Sequence, residues 1–374
     1  MRTVVGRDPK TGEGLSVTYG DRIESVEKID GEDLPWLSSG LIDLQVNGYG
    51  GYDVNGEEAS VEAIEAITQK LVQVGVTTWI PTIISASEET ISRSLAIVSE
   101  AKKSSPIIDH AVPFVHVEGP FISDQDGPRG AHPLEQIRPI DSREVERWMA
   151  HGPLGYVTVS PHWENSAEQI HLIRNLGIHV AIGHTHATTE QIQEAATAGA
   201  SLATHLGNGI FATLPRHPNP IWAQLANDRL DAGFIGDGHH LPPETLTALI
   251  RAKGDKSFLV SDSAMLAGTT PGRYKNDIGG DVELFENGRL EQTSSGLLAG
   301  SGVNLLNVVR YTLANTPFSL DRVLTMAVSH PARLAQRMGA SPRGKIEVGY
   351  PADIITLDDK AQVLSVIQAG KTIL

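Results

Sequence analysis

Eight short apolar runs, each rich in β-branched residues, recur along the middle of this chain, with helical patterns between many of them. They cover roughly Leu41–Val46, Val76–Thr82, Val112–Glu118, Tyr156–Pro161, Ile178–His184, Ser201–His205, Ala232–Asp237 and Phe258–Asp262. In a parallel sheet, covered on both faces, such runs are buried strands. The segments between carry helix signals. Residues 60–71 open on Ser60 as a plausible N-cap and stop before Gly75, and 87–103 carry Glu88 and Glu89 in the first turn. The patterns at 166–176 and 189–198 end at Gly177 and Gly199. Strands alternating with helices imply right-handed βαβ units, and eight units predict a closed (β/α)8, TIM-like barrel.

The two ends read differently. Residues 1–38 and the tail from Gly344 are short β-rich segments broken by turns. They are expected to pair into one small β-sandwich domain (1–38 plus 344–374) beside a barrel domain of 39–343. At 374 residues the chain is long enough for both.

Composition removes several classes of function. The formal charge of −15 argues against nucleic acid, whose phosphates want basic faces. With no cysteine, disulfides and thiolate ligands are excluded. The start lacks the apolar core of a signal peptide, and no apolar run reaches the ~18 residues of a membrane span, so a cytoplasmic protein without membrane contact is expected.

In a (β/α)8 barrel, active sites lie at the carboxyl ends of the strands. Glu118, His184, His205 and Asp262 fall there, closing the third, fifth, sixth and eighth runs. Two imidazoles and a carboxylate meeting at that edge would bind a divalent metal such as zinc, leaving the other carboxylate to shuttle protons. One such His could equally be a core group bonded to a backbone carbonyl, and Asp262 could cap a following helix. Four suitable residues on separate strand ends favour the site. The loops add candidates. His132, in the Gly/Pro-rich segment after Glu118, can polarise a substrate carbonyl, and one of His239 and His240 can meet substrate, since neighbours on an extended segment point oppositely. Asn208 and Gly209 offer backbone donors to an oxyanion or phosphate, with Arg216 the nearest cation.

In this order, Ser-Gly-Leu-Ile-Asp-Leu-Gln-Val-Asn-Gly (39–48), Val-Glu-Gly-Pro-Phe-Ile-Ser (117–123), Gly-Ala-His-Pro (130–133), Ile-Gly-His-Thr-His-Ala-Thr (182–188), Thr-His-Leu-Gly-Asn (204–208), Asp-Gly-His-His (237–240), Val-Ser-Asp (260–262) and Leu-Leu-Ala-Gly-Ser (297–301) resemble the N-acetylglucosamine-6-phosphate deacetylase family of the amidohydrolase superfamily. The resemblance implies hydrolysis of an N-acetyl group from N-acetylglucosamine 6-phosphate, releasing acetate. It implies that Glu118, His184 and His205 hold the metal and that Asp262 is general base, then acid. By the same resemblance His132 steadies the carbonyl oxygen, His240 and Arg216 hold the sugar phosphate, and a homodimer shares the pocket.

Three departures qualify this. Two-metal members of the superfamily carry His-x-His on the first strand, where this chain has Gln45-Val46-Asn47. Amides are poor ligands beside imidazole, so one divalent ion per subunit is expected, zinc first, with iron, manganese or cobalt also suited. The residues after Thr-His-Leu are Gly207-Asn208-Gly209-Ile210 instead of the family's usual aromatic-Asn-Ala-Met, and the loop through 222 also differs. His186 stands where a small or amide residue is common. These changes lie around the substrate. They leave open another amino-sugar phosphate such as N-acetylgalactosamine 6-phosphate, a non-phosphorylated amide, or a non-catalytic sugar-binding barrel.

Overall fold

The computed structural model describes residues 2–57, 59–275 and 280–374. Eight parallel strands form one sheet in chain order: Leu41–Val46, Val76–Ile84, Val115–Glu118, Leu154–Val159, His179–Ile182, Leu202–Ala203, Asp231–Ile235 and Ser257–Val260. The first and eighth strands close the barrel through a short seam. Asp262 N–H donates to the Gln45 carbonyl at 3.0 Å, and Asn47 N–H donates to Ser263 O at 2.9 Å. The Asp43 carboxylate strengthens that seam by accepting from Ser261 N–H at 3.1 Å and Gln45 N–H at 3.3 Å.

The helices form where the sequence signals them. Val61–Gln73 is capped by the Ser60 hydroxyl, Glu88–Ser104 by Ser87, and Thr189–Ala198 by a reciprocal Thr188–Gln191 capping box with left-handed Gly199 at its end. Each side-chain cap contributes about 1 kcal/mol. The apolar faces of these helices, including Ile64, Ile67, Leu71, Ile91, Leu95 and Ile192, are buried against the barrel wall.

Four strands start late or stop early, for backbone reasons. The third begins at Val115 because the helix Pro106–Ala111 takes the preceding residues and uses Val112 as its C-cap. The fifth and eighth stop before His184 and Asp262, and the sixth before His205, because these residues have φ of +47°, +51° and +27°. A left-handed residue turns the chain out of a ladder.

Trp36–Ser39 at the amino end and Ile354–Leu357 at the carboxyl end are adjacent strands of one seven-stranded sheet, which also holds Arg2–Arg7, Gly14–Tyr19, Ile23–Ile29 and Val363–Gln368. That sheet folds over, so that Ile23 N–H donates to the Tyr350 carbonyl, the Ile23 carbonyl accepts from Gly349 N–H, and Val17, Tyr19, Ile23, Leu37, Ile354 and Ile367 share a core. It is fixed to the barrel by Asp353 on His110 at 2.8 Å and by Gln368 Nε2 donating to the Thr77 carbonyl at 3.0 Å. A three-stranded antiparallel insert (Gly272–Tyr274, Val282–Leu284, Leu290–Gln292) follows the eighth strand and was not foreseen from the sequence. Its apolar residues are few and widely spaced, and it buries them against Leu266.

Candidate active site

Glu118, His184 and His205 converge at the carboxyl end of the barrel. His205 Nε2 lies 3.0 Å from Glu118 Oε1 and 3.1 Å from His184 Nε2, and His184 Nε2 lies 3.3 Å from the same oxygen. All three residues are buried. His184 Nδ1 donates to the Pro128 carbonyl at 2.8 Å, which assigns that proton and leaves Nε2 with its lone pair facing the cluster. Two ring nitrogens and a carboxylate facing one point are a donor set for a divalent ion. Burial opposes the Glu118 charge, but the two ring nitrogens hold its carboxyl well below the ordinary range.

Asp262 is tied to this group through Gln45. The Gln45 amide Nε2 donates to both Glu118 oxygens at 3.1 Å and to Asp262 Oδ1 at 3.0 Å. Asn47 Nδ2 adds a bond to Asp262 Oδ1 at 2.8 Å. The residues at the His-x-His position thus act as hydrogen-bond donors to the carboxylates. Burial, then the neighbouring Glu118 charge, raises the Asp262 pKa, an environment that favours a proton acceptor over an inert anion.

His132 is also buried, its ring edge-on to His184 with centroids 4.6 Å apart. Ser85 N–H reaches its Nδ1 at 3.4 Å, and the Ser85 hydroxyl lies 2.8 Å from the same atom. A backbone N–H can only donate, so Nδ1 is the acceptor nitrogen and Nε2 carries the proton. Burial, then the neighbouring His184, pushes the His132 pKa down to about 3, so the ring is a neutral donor. Ser85, closing the second strand, was missed in the sequence; its position at a strand carboxyl end was the available signal.

Glycines let the loops approach His184. A Cβ on Gly209, whose φ is +58°, would stand 2.8 Å from His184 Nδ1, and one on Gly130 would stand 3.3 Å from Cε1. Asn208 binds the His205 carbonyl through its amide Nδ2 at 3.2 Å. His240 Nδ1 is held by Asp237 Oδ2 at 2.7 Å, whereas His239 turns away to the Asn287 carbonyl of the insert at 3.0 Å. Burial works against the Asp237 charge, but bonds from His240 outweigh it and bring the carboxyl to about 2. Arg216 is exposed, with no hydrogen bond or ion pair among the described residues.

His186 Nδ1 meets the Ser123 hydroxyl at 2.6 Å, and its ring lies 4.2 Å from that of His162. No helix among the described residues is long and apolar enough to cross a membrane.

The amidohydrolase family model matches residues 36–373. The chain is 33% identical over 343 residues to an N-acetylgalactosamine-6-phosphate deacetylase of Shewanella sp. strain ANA-3, covering 90% of this chain and 82% of the relative. It is 30% identical over 340 residues to an N-acetylglucosamine-6-phosphate deacetylase of Bacillus subtilis, covering 89% and 83%. Among solved structures, the N-acetylglucosamine-6-phosphate deacetylase of Pasteurella multocida superposes with a TM-score of 0.86 at 26% identity, over 98% of this chain and 96% of that one. With its barrel, its Glu-His-His cluster and this similarity along nearly its whole length, the chain belongs to the amidohydrolase family, in the group that holds the N-acetylhexosamine-6-phosphate deacetylases.

Proposed function

We propose that this chain hydrolyses the acetamide of N-acetylglucosamine 6-phosphate to acetate and glucosamine 6-phosphate. The observation that carries the reading is the Glu118–His184–His205 cluster coupled to Asp262 through Gln45. A divalent ion held by Glu118, His184 and His205, zinc first among the candidates, would acidify a water and polarise the acetamide carbonyl.

The protein groups do the rest. Asp262, its Oδ1 fixed by two amide donors, takes the proton of the attacking water and then delivers it to the departing amine nitrogen. His132 donates its Nε2–H to the carbonyl oxygen as negative charge gathers there. His240, oriented by Asp237, the Asn208–Gly209 backbone and Arg216 from its exposed loop grip the phosphate, so that binding far from the scissile bond aligns it. A second reading, N-acetylgalactosamine 6-phosphate, is favoured by the name of the Shewanella relative and by the unusual loop at 207–222.

The test is acetate release from both phosphorylated sugars and from unphosphorylated N-acetylglucosamine. We expect the glucosamine derivative to be turned over faster than its epimer, and Arg216→Ala to lower kcat/KM for the phosphorylated substrate alone. Asp262→Asn should lower kcat by about a thousandfold, as loss of a proton shuttle does. Undiminished turnover in that variant sinks the mechanism.

Three further assignments belong with this proposal. Residues 1–38 plus 344–374 form the small β domain and 39–343 the catalytic unit. The protein is a homodimer, which light scattering in solution tests. It works in the cytoplasm, where anionic sugar phosphates are retained.

A further inference from the structure

A second cluster stands on the same end of the barrel. Asp124, His162 and His186 follow the third, fourth and fifth strands, and each offers a ligand atom within 4.8 Å of the others. Both imidazoles are anchored at Nδ1, His162 by the Ser160 hydroxyl and His186 by that of Ser123, each at 2.6 Å. With the hydroxyl oxygens accepting from Nδ1–H, the Nε2 lone pairs are left free, as His184 is prepared by the Pro128 carbonyl. His162 Nε2 is buried with no hydrogen-bond partner, 3.9 Å from Asp124 Oδ1. An orphaned buried ring nitrogen facing a second imidazole and a carboxylate calls for a cation.

We propose that Asp124, His162 and His186 bind a second divalent ion of the zinc class, with water in the remaining positions. Two imidazoles and one carboxylate suit zinc, cobalt or nickel over magnesium or calcium. Ligand atoms around tetrahedral zinc lie about 3.4 Å apart, so the cluster has to close by about an ångström. Asp124, whose side chain is 42% exposed against 11% for His162, is the residue free to swing inward. The ion places positive charge at the barrel mouth of a chain whose formal charge is −15, on the side an anionic substrate enters. His186 thereby acquires a reason for standing where its relatives by resemblance carry a small or amide residue.

The test counts ions. The full-length protein is stripped with a chelator, titrated with Zn2+ against a chromophoric competitor, and its bound zinc measured by mass spectrometry. The same is done for His186→Asn, His162→Gln and Glu118→Gln, each first shown to unfold cooperatively. We expect two ions on the unaltered protein and one fewer on both His186→Asn and His162→Gln. An unchanged count in those two variants overturns the proposal, whether the total is one or two. Glu118→Gln reports separately on the Glu118 site: a count it leaves unchanged contradicts that reading and not this one.

Discussion

Replacing Ser85 with alanine isolates what positions His132. The hydroxyl lies 2.8 Å from Nδ1, while the Ser85 N–H, which the substitution leaves, reaches the same atom at a long 3.4 Å. A neutral hydrogen bond of this kind is worth about 1 kcal/mol, and a decade in rate corresponds to about 1.4 kcal/mol. Ser85→Ala should therefore lower kcat by about fivefold and leave KM nearly alone, since the bond orients a group that acts in the transition state. His132→Ala removes the donor itself and should cost about 100- to 1000-fold.

The two changes should not combine. If Ser85 acts only through His132, the double variant loses no more than His132→Ala alone, a coupling equal to the whole Ser85 effect. Initial rates of acetate release at saturating substrate read all four corners of the cycle, with thermal unfolding as a check on folding. A further fivefold loss on adding Ser85→Ala to His132→Ala refutes the reasoning, because the hydroxyl would then serve something other than the imidazole.

Two more expectations follow from the loops. Asp237 titrates near 2 in the fold against an ordinary 3.8, so it contributes ~2 kcal/mol of stability above pH 4, which is lost only as pH falls through 2. Asp237→Asn should thus show a melting deficit that stays flat between pH 5 and 8 in calorimetry, together with a raised KM for phosphorylated substrate as His240 loses its anchor. Gly209→Ala places a methyl 2.8 Å from His184 Nδ1 at a φ of +58°, so the ring has to shift and its bond to Pro128 weakens. We expect at least tenfold weaker zinc binding by competition titration; unchanged affinity would show that the ring tolerates displacement.

The barrel was legible because its signals are local and repeated. Leu41–Val46 and Thr189–Ala198 coincide with the sequence reading because an unbroken apolar run and a Thr–Gln capping box each fix their own limits. Glu118, His184, His205 and Asp262 were legible because barrel topology carries every strand end to one rim. The partners that tune them were not. Ser85 and Pro128 reach His132 and His184 from 47 and 56 positions away, through contacts that no periodicity encodes. Gln45 and Asn47 were recognisable as non-ligands, but that one Gln amide joins two carboxylates depends on strands one, three and eight meeting. His162 escaped notice because its partners come from neighbouring loops, whose paths the sequence does not specify.

Backbone conformation connects the chemistry to the variable loops. His184, His205 and Asp262 all sit at positive φ, which costs about 1–2 kcal/mol each for a residue with a Cβ. In each case a loop amide takes the carbonyl of the strained residue: Ser123 N–H that of His184 at 2.9 Å, Asn208 N–H, three residues on, that of His205 at 3.0 Å, and Ser301 N–H that of Asp262 at 3.0 Å. Strained residues persist where their surroundings over-determine them, and here the surroundings are backbone amides, which any residue but proline supplies. Apart from glycines such as Gly209, whose Cβ would meet His184, the side chains of those loops are consequently free to change while the catalytic geometry is kept. His186 and the 207–222 loop can depart from the family pattern without disturbing Glu118, His184, His205 or Asp262. Substrate preference therefore has to be sought in loop side chains, and bond-breaking chemistry in the backbone that bends the strand ends inward.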